Sequence, residues 1–348
     1  MIEVTGAAQL QAWREKVMPP VEEVRPGLWS IPVPLPRNPL RYVLVYTLEC
    51  EGGIALVDAG WNTQEAWDVL CAGLDHIGAG LDQVRAVLVT HIHPDHYGLA
   101  GRIREASGAW VGLHPADAAV LPGRYEDVDD LLSKMSALLR ACGVPPLELE
   151  ELSSASMMIR QLVQITQPDR LLDDGDLVPL GGRELRAVWT PGHSPGHLCF
   201  YDACERLLLA GDHVLPRISP NISVHSQQRP NPLAEFMEAL LKVRALDVDE
   251  VLPAHEYRFR NLASRVDDLL AHHSARLDAI EEMVLATPGI SCWDITVALP
   301  WSRPWAEIPP FMRRAANGET LAHLMVLLAA GRVARHGGEP WRWEPPAV

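Results

Sequence analysis

The sequence predicts an α/β fold up to about residue 260 and a small, mainly helical region after it. Two observations support this prediction. Short apolar runs rich in β-branched residues alternate with segments of helical periodicity, as expected where strands alternate with helices. Polar residues suited to metal binding follow several of these runs directly, so we expect them where strands end and loops begin.

The composition is that of a globular protein with a sizeable core. The 348 residues include 48% apolar and 22% charged residues, and the length favours two domains. We predict a catalytic domain over residues 1–260 and a second domain over residues 261–348. The formal net charge is −15, from 30 basic and 45 acidic residues, which argues against binding to a nucleic-acid backbone.

The cysteine pattern and the lengths of the apolar runs predict a cytoplasmic protein without a membrane anchor. The six cysteines form no C-x-x-C pair and are expected to be reduced thiols. The first 28 residues lack the charged and apolar segments of a signal peptide. No run reaches the length of about 18 uncharged apolar residues that a membrane span needs.

Apolar, β-rich runs are the predicted strands of the α/β region. They cover residues 28–33, 42–48, 54–57, 84–89, 109–113, 185–189, 198–201, 207–209 and 248–252. A helix is predicted over residues 63–77, because apolar residues recur on one face of it. Asn62 with Glu65 is its predicted N-terminal cap and Gly78 its predicted stop. Another helix is expected to start at Gly98.

Residues 115–167 are predicted to form a helical insertion. Apolar residues recur at helical spacing over 131–139 and again in a second helix over 147–165, which carries the apolar residues 157–159. Pro145 and Pro146 separate the two helices. Such apolar faces favour packing in a core or in a dimer contact, and a lid over a substrate is the alternative.

The region after residue 261 is predicted to be helical, with a short hairpin near its end. Apolar residues trace one face over 262–284, and a further helix covers 319–328. A helix followed by a hairpin resembles a small winged-helix-like domain. We predict packing rather than nucleic-acid binding, because its few arginines are balanced by acidic residues.

The segment Thr90–His96 reads T-H-I-H-P-D-H and is the strongest functional signal in the chain. Three imidazoles so close together would repel one another if charged, and a metal ion that they share with the nearby carboxylate removes that problem. His91 and His93 are two residues apart in extended chain, so both can reach one ion. Asp95 and His96 follow at the turn into a helix and face a neighbouring point. The loop therefore predicts ligands for two nearby ions.

Further candidate ligands follow later strands. His193 lies in a turn rich in glycine and proline, and His255 follows the run 248–252. Asp212 follows the run 207–209 and carries a carboxylate that can bridge two cations. Asp58, at the end of the run 54–57, is the predicted hydrogen-bond acceptor for a ligand histidine. His197 is near these residues and is expected to point away from the ligand positions.

In this order the motifs resemble the metallo-β-lactamase superfamily, and the resemblance covers about residues 28–257. It implies a four-layer αββα sandwich with two metal ions at one edge, between the two sheets. The implied ligands are His91, His93 and His193 for one ion, Asp95, His96 and His255 for the other, and Asp212 as the bridge.

The ligand types predict a hydrolase that depends on two divalent ions. Nitrogen and oxygen ligands without cysteine suit zinc, with iron or manganese as alternatives. Two ions can lower the pKa of a bridging water to roughly 7, which makes hydroxide available at neutral pH. Asp95 is predicted to orient that water or to take its proton. No G-x-S-x-G elbow or phosphate-binding loop offers another route.

The motifs around Asp58, His193 and His255 are similar to those of glyoxalase II thioesterases, and Pro310-Phe-Met-Arg313 resembles that branch's glutathione-contacting segment. The resemblance implies that Tyr257 and Arg313 contact the substrate. We therefore predict cleavage of a small-molecule thioester, ester or lactone. The alternatives are a phosphodiesterase or nuclease of the same fold, and an iron-dependent sulfur dioxygenase or other oxidoreductase. A homodimer through the insertion or the C-terminal domain is also expected.

Overall fold

A computed structural model describes residues 1–126, 128–155 and 157–346. The chain divides into two compact units. The first unit consists of Met1–Leu121, Ile159–Pro220 and Ala239–Val266. The second unit consists of Pro122–Met158, Asn221–Glu238 and Asp267–Val348, so the predicted insertion and the C-terminal region fall largely in the same unit. The predicted boundary at residue 260 stays a prediction.

The helices and strands are numbered in chain order. The strands are β1 Glu3–Val4, β2 Glu22–Arg25, β3 Leu28–Pro34, β4 Tyr42–Cys50, β5 Gly53–Val57, β6 Val84–Leu88, β7 Trp110–Leu113, β8 Arg170–Leu171, β9 Leu177–Val178, β10 Leu185–Trp189, β11 Leu198–Asp202, β12 Leu207–Gly211, β13 Glu250–Pro253, β14 Phe259–Arg260, β15 Ala334–His336 and β16 Arg342–Glu344. The helices are α1 Ala7–Glu15, α2 Gln64–His76, α3 Pro94–Tyr97, α4 Ala100–Ser107, α5 Pro115–Tyr125, α6 Val128–Cys142, α7 Pro146–Ser154, α8 Pro232–Arg244, α9 Leu262–Ala286, α10 Cys292–Ala298 and α11 Pro310–Ala329.

The first unit contains two mixed sheets of seven strands each. One sheet has the order β2-β3-β4-β5-β6-β7-β8, and the other has the order β1-β14-β13-β12-β11-β10-β9. The apolar core lies between them, because buried side chains from both sheets belong to one cluster. Leu44, Tyr46 and Leu48 alternate along β4 on the inner face, and Leu198 and Phe200 do so on β11. This is the predicted αββα sandwich.

The connections of the sheets bring several strand ends to a common edge. Strand β5 pairs in parallel with β6, and β12 pairs in parallel with β13. Because parallel strands end at the same edge of a sheet, the residues that follow β5 and β6 lie close together in one sheet, and those that follow β12 and β13 do so in the other. The apolar runs that made these strands recognisable therefore also position the candidate ligands.

Two helix boundaries differ from the prediction. The side chain of Thr63 accepts a hydrogen bond from Ala66 N at the start of α2, so the cap predicted at Asn62 is wrong. Threonine and asparagine are both good caps, and sequence alone does not choose between neighbours. The helix predicted to start at Gly98 is α4, which starts at Ala100, and a separate short helix, α3, starts at Pro94 inside the metal motif, where proline suits the first helical position.

The second unit contains helices of the insertion and of the C-terminal region. Its larger apolar cluster includes Cys142 at the end of α6 together with side chains of α9, α10 and α11, and a smaller one joins Leu139 and Leu152 to Trp293. The apolar face of α6 therefore packs in a core, which was one of the two predicted uses. The helix expected over 147–165 is shorter: α7 stops at Ser154, and a 3₁₀ helix covers Met157–Leu162. The side chains of residues 157–159 lie outside the described part.

A short hairpin follows α11, as predicted. Strands β15 and β16 pair in antiparallel register, and Trp343 on β16 is fully buried in the larger cluster. Arg332 forms ion pairs with Asp278 and Glu281 at the end of this region. Among the helices that the structure describes, none has the length and apolar character needed to cross a bilayer.

Two buried histidines give the second unit a predicted sensitivity to acid. His273 Nδ1 lies 3.2 Å from His323 Nε2, and His323 Nδ1 lies 2.8 Å from the carbonyl oxygen of Glu319. Burial first, and then the neighbouring His323, lowers the pKa of His273 to about 3. Burial, and then the charge of Arg276, lowers the pKa of His323 to about 4, although a backbone hydrogen bond opposes this.

We therefore expect the second unit to lose stability as the pH falls below about 6.5, where the unfolded chain takes up protons that the folded pair does not. The loss is at most about 1.4 kcal/mol per pH unit for each histidine. Urea unfolding at pH 7 and pH 5 should show a smaller pH dependence for the double variant His273→Gln, His323→Gln than for wild type. The exposed His76→Gln is the control, and an unchanged pH dependence in the double variant would contradict the expectation.

Candidate metal centre

The loop after β6 is held in place by Asp58. The Oδ1 of Asp58 accepts a hydrogen bond from Thr90 N at 2.8 Å, and its Oδ2 accepts one from Thr90 Oγ1 at 3.0 Å. The same Oδ2 lies 2.7 Å from His96 Nδ1. Asp58 has a φ of 65°, an uncommon backbone conformation for a residue other than glycine. The structure thus places Asp58 within hydrogen-bond distance of His96, and its role as the acceptor for a ligand histidine stays a prediction.

The predicted ligand residues come together at the common edge of the sheets. Their nitrogen and carboxylate oxygen atoms form overlapping sets, within each of which all atoms lie within 4.8 Å of one another. The sets are His91, His93 and His193; His91, His96 and Asp212; and Asp95, His96 and His255.

Asp212 lies between the outer sets. Its Oδ1 is 3.6 Å from His96 Nε2 and 3.3 Å from His255 Nε2. Its Oδ2 is 3.5 Å from His193 Nε2. The two oxygens of one carboxylate therefore face two different groups of imidazoles, which is the geometry expected of a bridging ligand.

The site fits a bound cation by its hydrogen-bond balance. Among the described residues, His96 Nε2, His255 Nε2 and Asp212 Oδ1 are buried and have no hydrogen-bond partner. Each such atom costs free energy unless something else satisfies it. The other ring nitrogen of His255 lies 2.9 Å from the carbonyl oxygen of Tyr42, which aims Nε2 into the cluster. A divalent ion would satisfy all three atoms, and nitrogen and oxygen ligands suit zinc, iron or manganese.

The pKa values of the cluster are strongly shifted by burial and by the neighbouring charges. Burial opposes protonation of His96, yet the carboxylates of Asp58, Asp95 and Asp212 outweigh it and raise its pKa to about 10. Burial of Asp95 raises its pKa, but His96 and His255 more than compensate and hold it below the usual range. Burial, and then the neighbouring imidazoles, lowers the pKa of His91. The carboxylate side of the cluster therefore attracts positive charge.

His197 is a supporting residue whose role the sequence did not reveal. Its Nδ1 lies 2.8 Å from Thr190 Oγ1, and its Nε2 accepts a hydrogen bond from Asp212 N at 3.1 Å. Both ring nitrogens are therefore engaged by Thr190 and by the backbone of Asp212, and the imidazole orients the backbone that carries Asp212. A Cβ on Gly211 would lie 2.7 Å from His197 Nε2, so this contact requires glycine there. The motif T-P-G-H-S-P-G-H contained this histidine without indicating its partner.

The two predicted substrate contacts lie in different units. Tyr257, in the first unit, is only 5% exposed, and burial raises the pKa of its hydroxyl. Arg313, in the second unit, lies 3.4 Å from the carboxylate of Glu148 and stacks against Trp305. Contact of either residue with a substrate stays a prediction.

We expect Asp58→Asn to weaken metal binding by about 10- to 100-fold, the usual effect of removing a carboxylate that orients a ligand histidine. Thr90 and His96 contact the two carboxylate oxygens of Asp58. An asparagine side chain would offer them only one oxygen acceptor, and without charge. Competition with a chromophoric chelator measures the affinity. Asp75→Asn, at an exposed position, is the matched control, and wild-type affinity in Asp58→Asn would contradict this role.

Comparison with known proteins agrees with the architecture. The model of the family described as metallo-beta-lactamase superfamily matches residues 38–255. A lactamase-like protein of Penicillium aethiopicum is 31% identical over 150 residues, which are 43% of this chain and 43% of that protein. An acyl-coenzyme A thioesterase of Gallus gallus is 32% identical over 214 residues, which are 58% of this chain and 67% of the relative. The chain thus spans less than half the length of the fungal relative.

Two solved structures match nearly the whole chain. A metallo-beta-lactamase family protein from Thermus thermophilus has a TM-score of 0.79 and 32% identity, over 93% of this chain and 100% of that one. A beta-lactamase domain protein from Burkholderia ambifaria has a TM-score of 0.81 and 28% identity, over 99% of this chain and 98% of that one. The similarity therefore extends beyond the segment matched by the family model.

Proposed function

The chain belongs to the metallo-beta-lactamase superfamily, whose members are in general metal-dependent hydrolases, and from this premise we propose that it is a dinuclear hydrolase of a thioester, ester or lactone. The observation that carries the proposal is the position of Asp212. Its two carboxylate oxygens face the Nε2 atoms of His193 on one side and of His96 and His255 on the other. That arrangement suits two ions held side by side.

The residues of each proposed ion site follow from the two outer sets. His91, His93 and His193 would hold one ion, Asp95, His96 and His255 the other, and Asp212 would contact both. Such ions, of which zinc is favoured, lower the pKa of a water molecule to near 7 and polarise a carbonyl group.

The side chains themselves orient the water and the ligand imidazoles. Asp95 is held at the start of α3, and its Oδ2 lies 3.3 Å from His255 Nε2. The lowered pKa of this carboxyl keeps it ionised at neutral pH, so Oδ2 can accept a hydrogen bond from an attacking water and orient it. Asp58 holds His96 in one orientation through the contact to Nδ1. Burial of these groups strengthens their electrostatic effect on the reacting carbonyl.

A thioester is the favoured substrate within this class. The similarity to an acyl-coenzyme A thioesterase over 58% of this chain supports it, and so does the motif H-E-Y at His255–Tyr257. A phosphodiester substrate would draw on cationic side chains. In the C-terminal region Arg332 is already paired with Asp278 and Glu281, and the net charge of −15 also disfavours a polyanion.

Metal analysis and a substrate panel test the proposal. The purified protein should contain close to two transition-metal ions per chain, and removal of the ions by a chelator should abolish turnover. Thioesters, esters and lactones should be hydrolysed in preference to bis-p-nitrophenyl phosphate and RNA, and Asp95→Asn should lose this activity. Selective cleavage of the phosphodiesters would overturn the proposal, as would full activity with one ion or none.

A further inference from the structure

A second buried carboxylate lies behind the candidate metal centre. Asp117 is in the first turn of α5 and is fully buried. Its Oδ2 accepts a hydrogen bond from Ile92 N at 3.0 Å and one from Ser194 Oγ at 2.8 Å. Its Oδ1 accepts one from Gly196 N at 2.6 Å. One side chain thus receives three hydrogen bonds from two separate loops.

These loops are the ones that carry the first set of candidate ligands. Ile92 lies between His91 and His93, and Ser194 directly follows His193. We propose that Asp117 is a positioning residue that holds His91, His93 and His193 in register for one metal ion. The proposal rests on the dinuclear site of the proposed function, and it extends that site to a residue outside its metal-binding motifs.

The close approach of the second loop to Asp117 requires glycine at position 196. A Cβ at Gly196 would lie 2.5 Å from Asp117 N and 2.8 Å from Asp117 Cβ. Real Cβ atoms do not approach other heavy atoms so closely, so any larger residue would push the loop away from α5. The second glycine of the T-P-G-H-S-P-G-H motif therefore has a defined partner.

The hydrogen bonds of Asp117 indicate that it holds two loops together rather than only stabilising the start of α5. An aspartate in the first turn of a helix usually stabilises that helix, because its negative charge interacts favourably with the helix dipole and with the free N–H groups of the same turn. The three donors to Asp117 described above all come from outside α5. Moving both loops away from α5 would break all three hydrogen bonds and leave a buried carboxyl group without these partners, which costs free energy.

Asp117 and Asp58 then support different ligand sets. Asp58 contacts His96 Nδ1 and Thr90, and so it orients the set that contains Asp95, His96 and His255. Asp117 contacts the backbone beside His91, His93 and His193 and touches none of their rings in these bonds. Loss of Asp117 should therefore act selectively on the ion of the first set.

Metal binding by Asp117→Asn tests the inference without any substrate. Asparagine has nearly the same volume, but it presents an NH₂ group to N–H donors and carries no charge. We expect the affinity for one of two zinc ions to fall by about 10- to 100-fold. In the cobalt-substituted protein we expect a changed visible spectrum. His193→Ala and His255→Ala provide the reference spectra for damage to the first and the second set.

The matched control is Asp202→Asn. Asp202 is also buried, accepts a hydrogen bond from Glu205 N at 3.0 Å, and lies at the end of β11 away from the centre. It should change the melting temperature without changing the cobalt spectrum. If Asp117→Asn fails to fold, Ser194→Ala removes one of the three donors and should weaken the same ion by about 3- to 10-fold.

The outcomes separate this inference from the proposed function. Wild-type affinity at both ions with an unchanged cobalt spectrum in both Asp117→Asn and Ser194→Ala overturns the inference, and so does a loss confined to the ion of the second set. Failure of the wild-type protein to hydrolyse any carbonyl substrate, while it binds two ions, overturns only the proposed function. A wild-type protein that binds no ion overturns both.

Discussion

An Asp212→Ala variant is expected to lose about 10²- to 10³-fold in kcat/KM, the loss that follows removal of one preorganised electrostatic group. The carboxylate faces both groups of imidazoles, at 3.5 Å from His193 Nε2 and 3.3 Å from His255 Nε2. Its removal therefore takes one ligand from each proposed ion site. It also removes a negative charge that raises the pKa values of His96 and His255.

Steady-state kinetics and metal content measured on the same preparations check this result. The metal content should fall from about two ions per chain to about one. Without Asp212, each of the two outer sets keeps only its three other side chains to hold an ion. Asp212→Asn keeps an oxygen without the charge and should lie between wild type and alanine. Asp202→Ala, a buried aspartate at the end of β11 away from the centre, is the control for loss of a buried carboxylate. A kcat/KM within tenfold of wild type in Asp212→Ala would contradict the proposal that Asp212 bridges the two ions.

A Phe200→Ala variant is expected to lower the free energy of unfolding by about 3–5 kcal/mol, the usual cost of truncating a buried aromatic residue. Phe200 is fully buried on β11, between Ala187 of β10 and Leu209 of β12. Its ring belongs to the apolar cluster shared by the two sheets, so truncation leaves a cavity in the centre of the sandwich. Close packing on both sides gives the cavity little room to collapse.

Urea unfolding with a constant m-value measures this loss, and hydrogen exchange followed by mass spectrometry should place the loss of protection in β10, β11 and β12. Leu177→Ala on β9 is the control, because this leucine is 56% exposed and its truncation should change stability by about 0.5 kcal/mol or less. A loss below about 1.5 kcal/mol for Phe200→Ala would contradict the assignment of this residue to the core.

The strands and the ligand cluster could be predicted from the sequence because both are marked by patterns of residues that are close together in the chain. The run Leu185–Trp189 was predicted with the bounds that the structure has, since strands buried in a sandwich are short, apolar and bounded by turn residues. The ligands at His91, His93 and Asp95 lie within one short motif at the end of such a strand. Their spacing alone therefore indicated a metal site.

The residues that the sequence did not reveal act over long separations. Asp117 meets Ser194 and Gly196 across more than 70 residues, and in the sequence it looks like an ordinary acidic residue in the first turn of a helix. The two-residue strands β8 and β9 are too short to give a periodic pattern. The end of α7 at Ser154 was missed because apolar residues continue beyond it at helical spacing.

The discontinuous path of the chain through its two units has a consequence for synthesis on the ribosome. Residues Glu3 and Val4 of β1 find their partners only when Phe259 and Arg260 have emerged, so the first unit cannot close its second sheet earlier. Cys142 shares a cluster with Leu327, which is made roughly 185 residues later. At typical rates of 5–20 residues per second this interval is roughly 10–40 s. The part of α6 that packs with α9, α10 and α11 therefore stays without these partners during translation and is open to a chaperone in that interval.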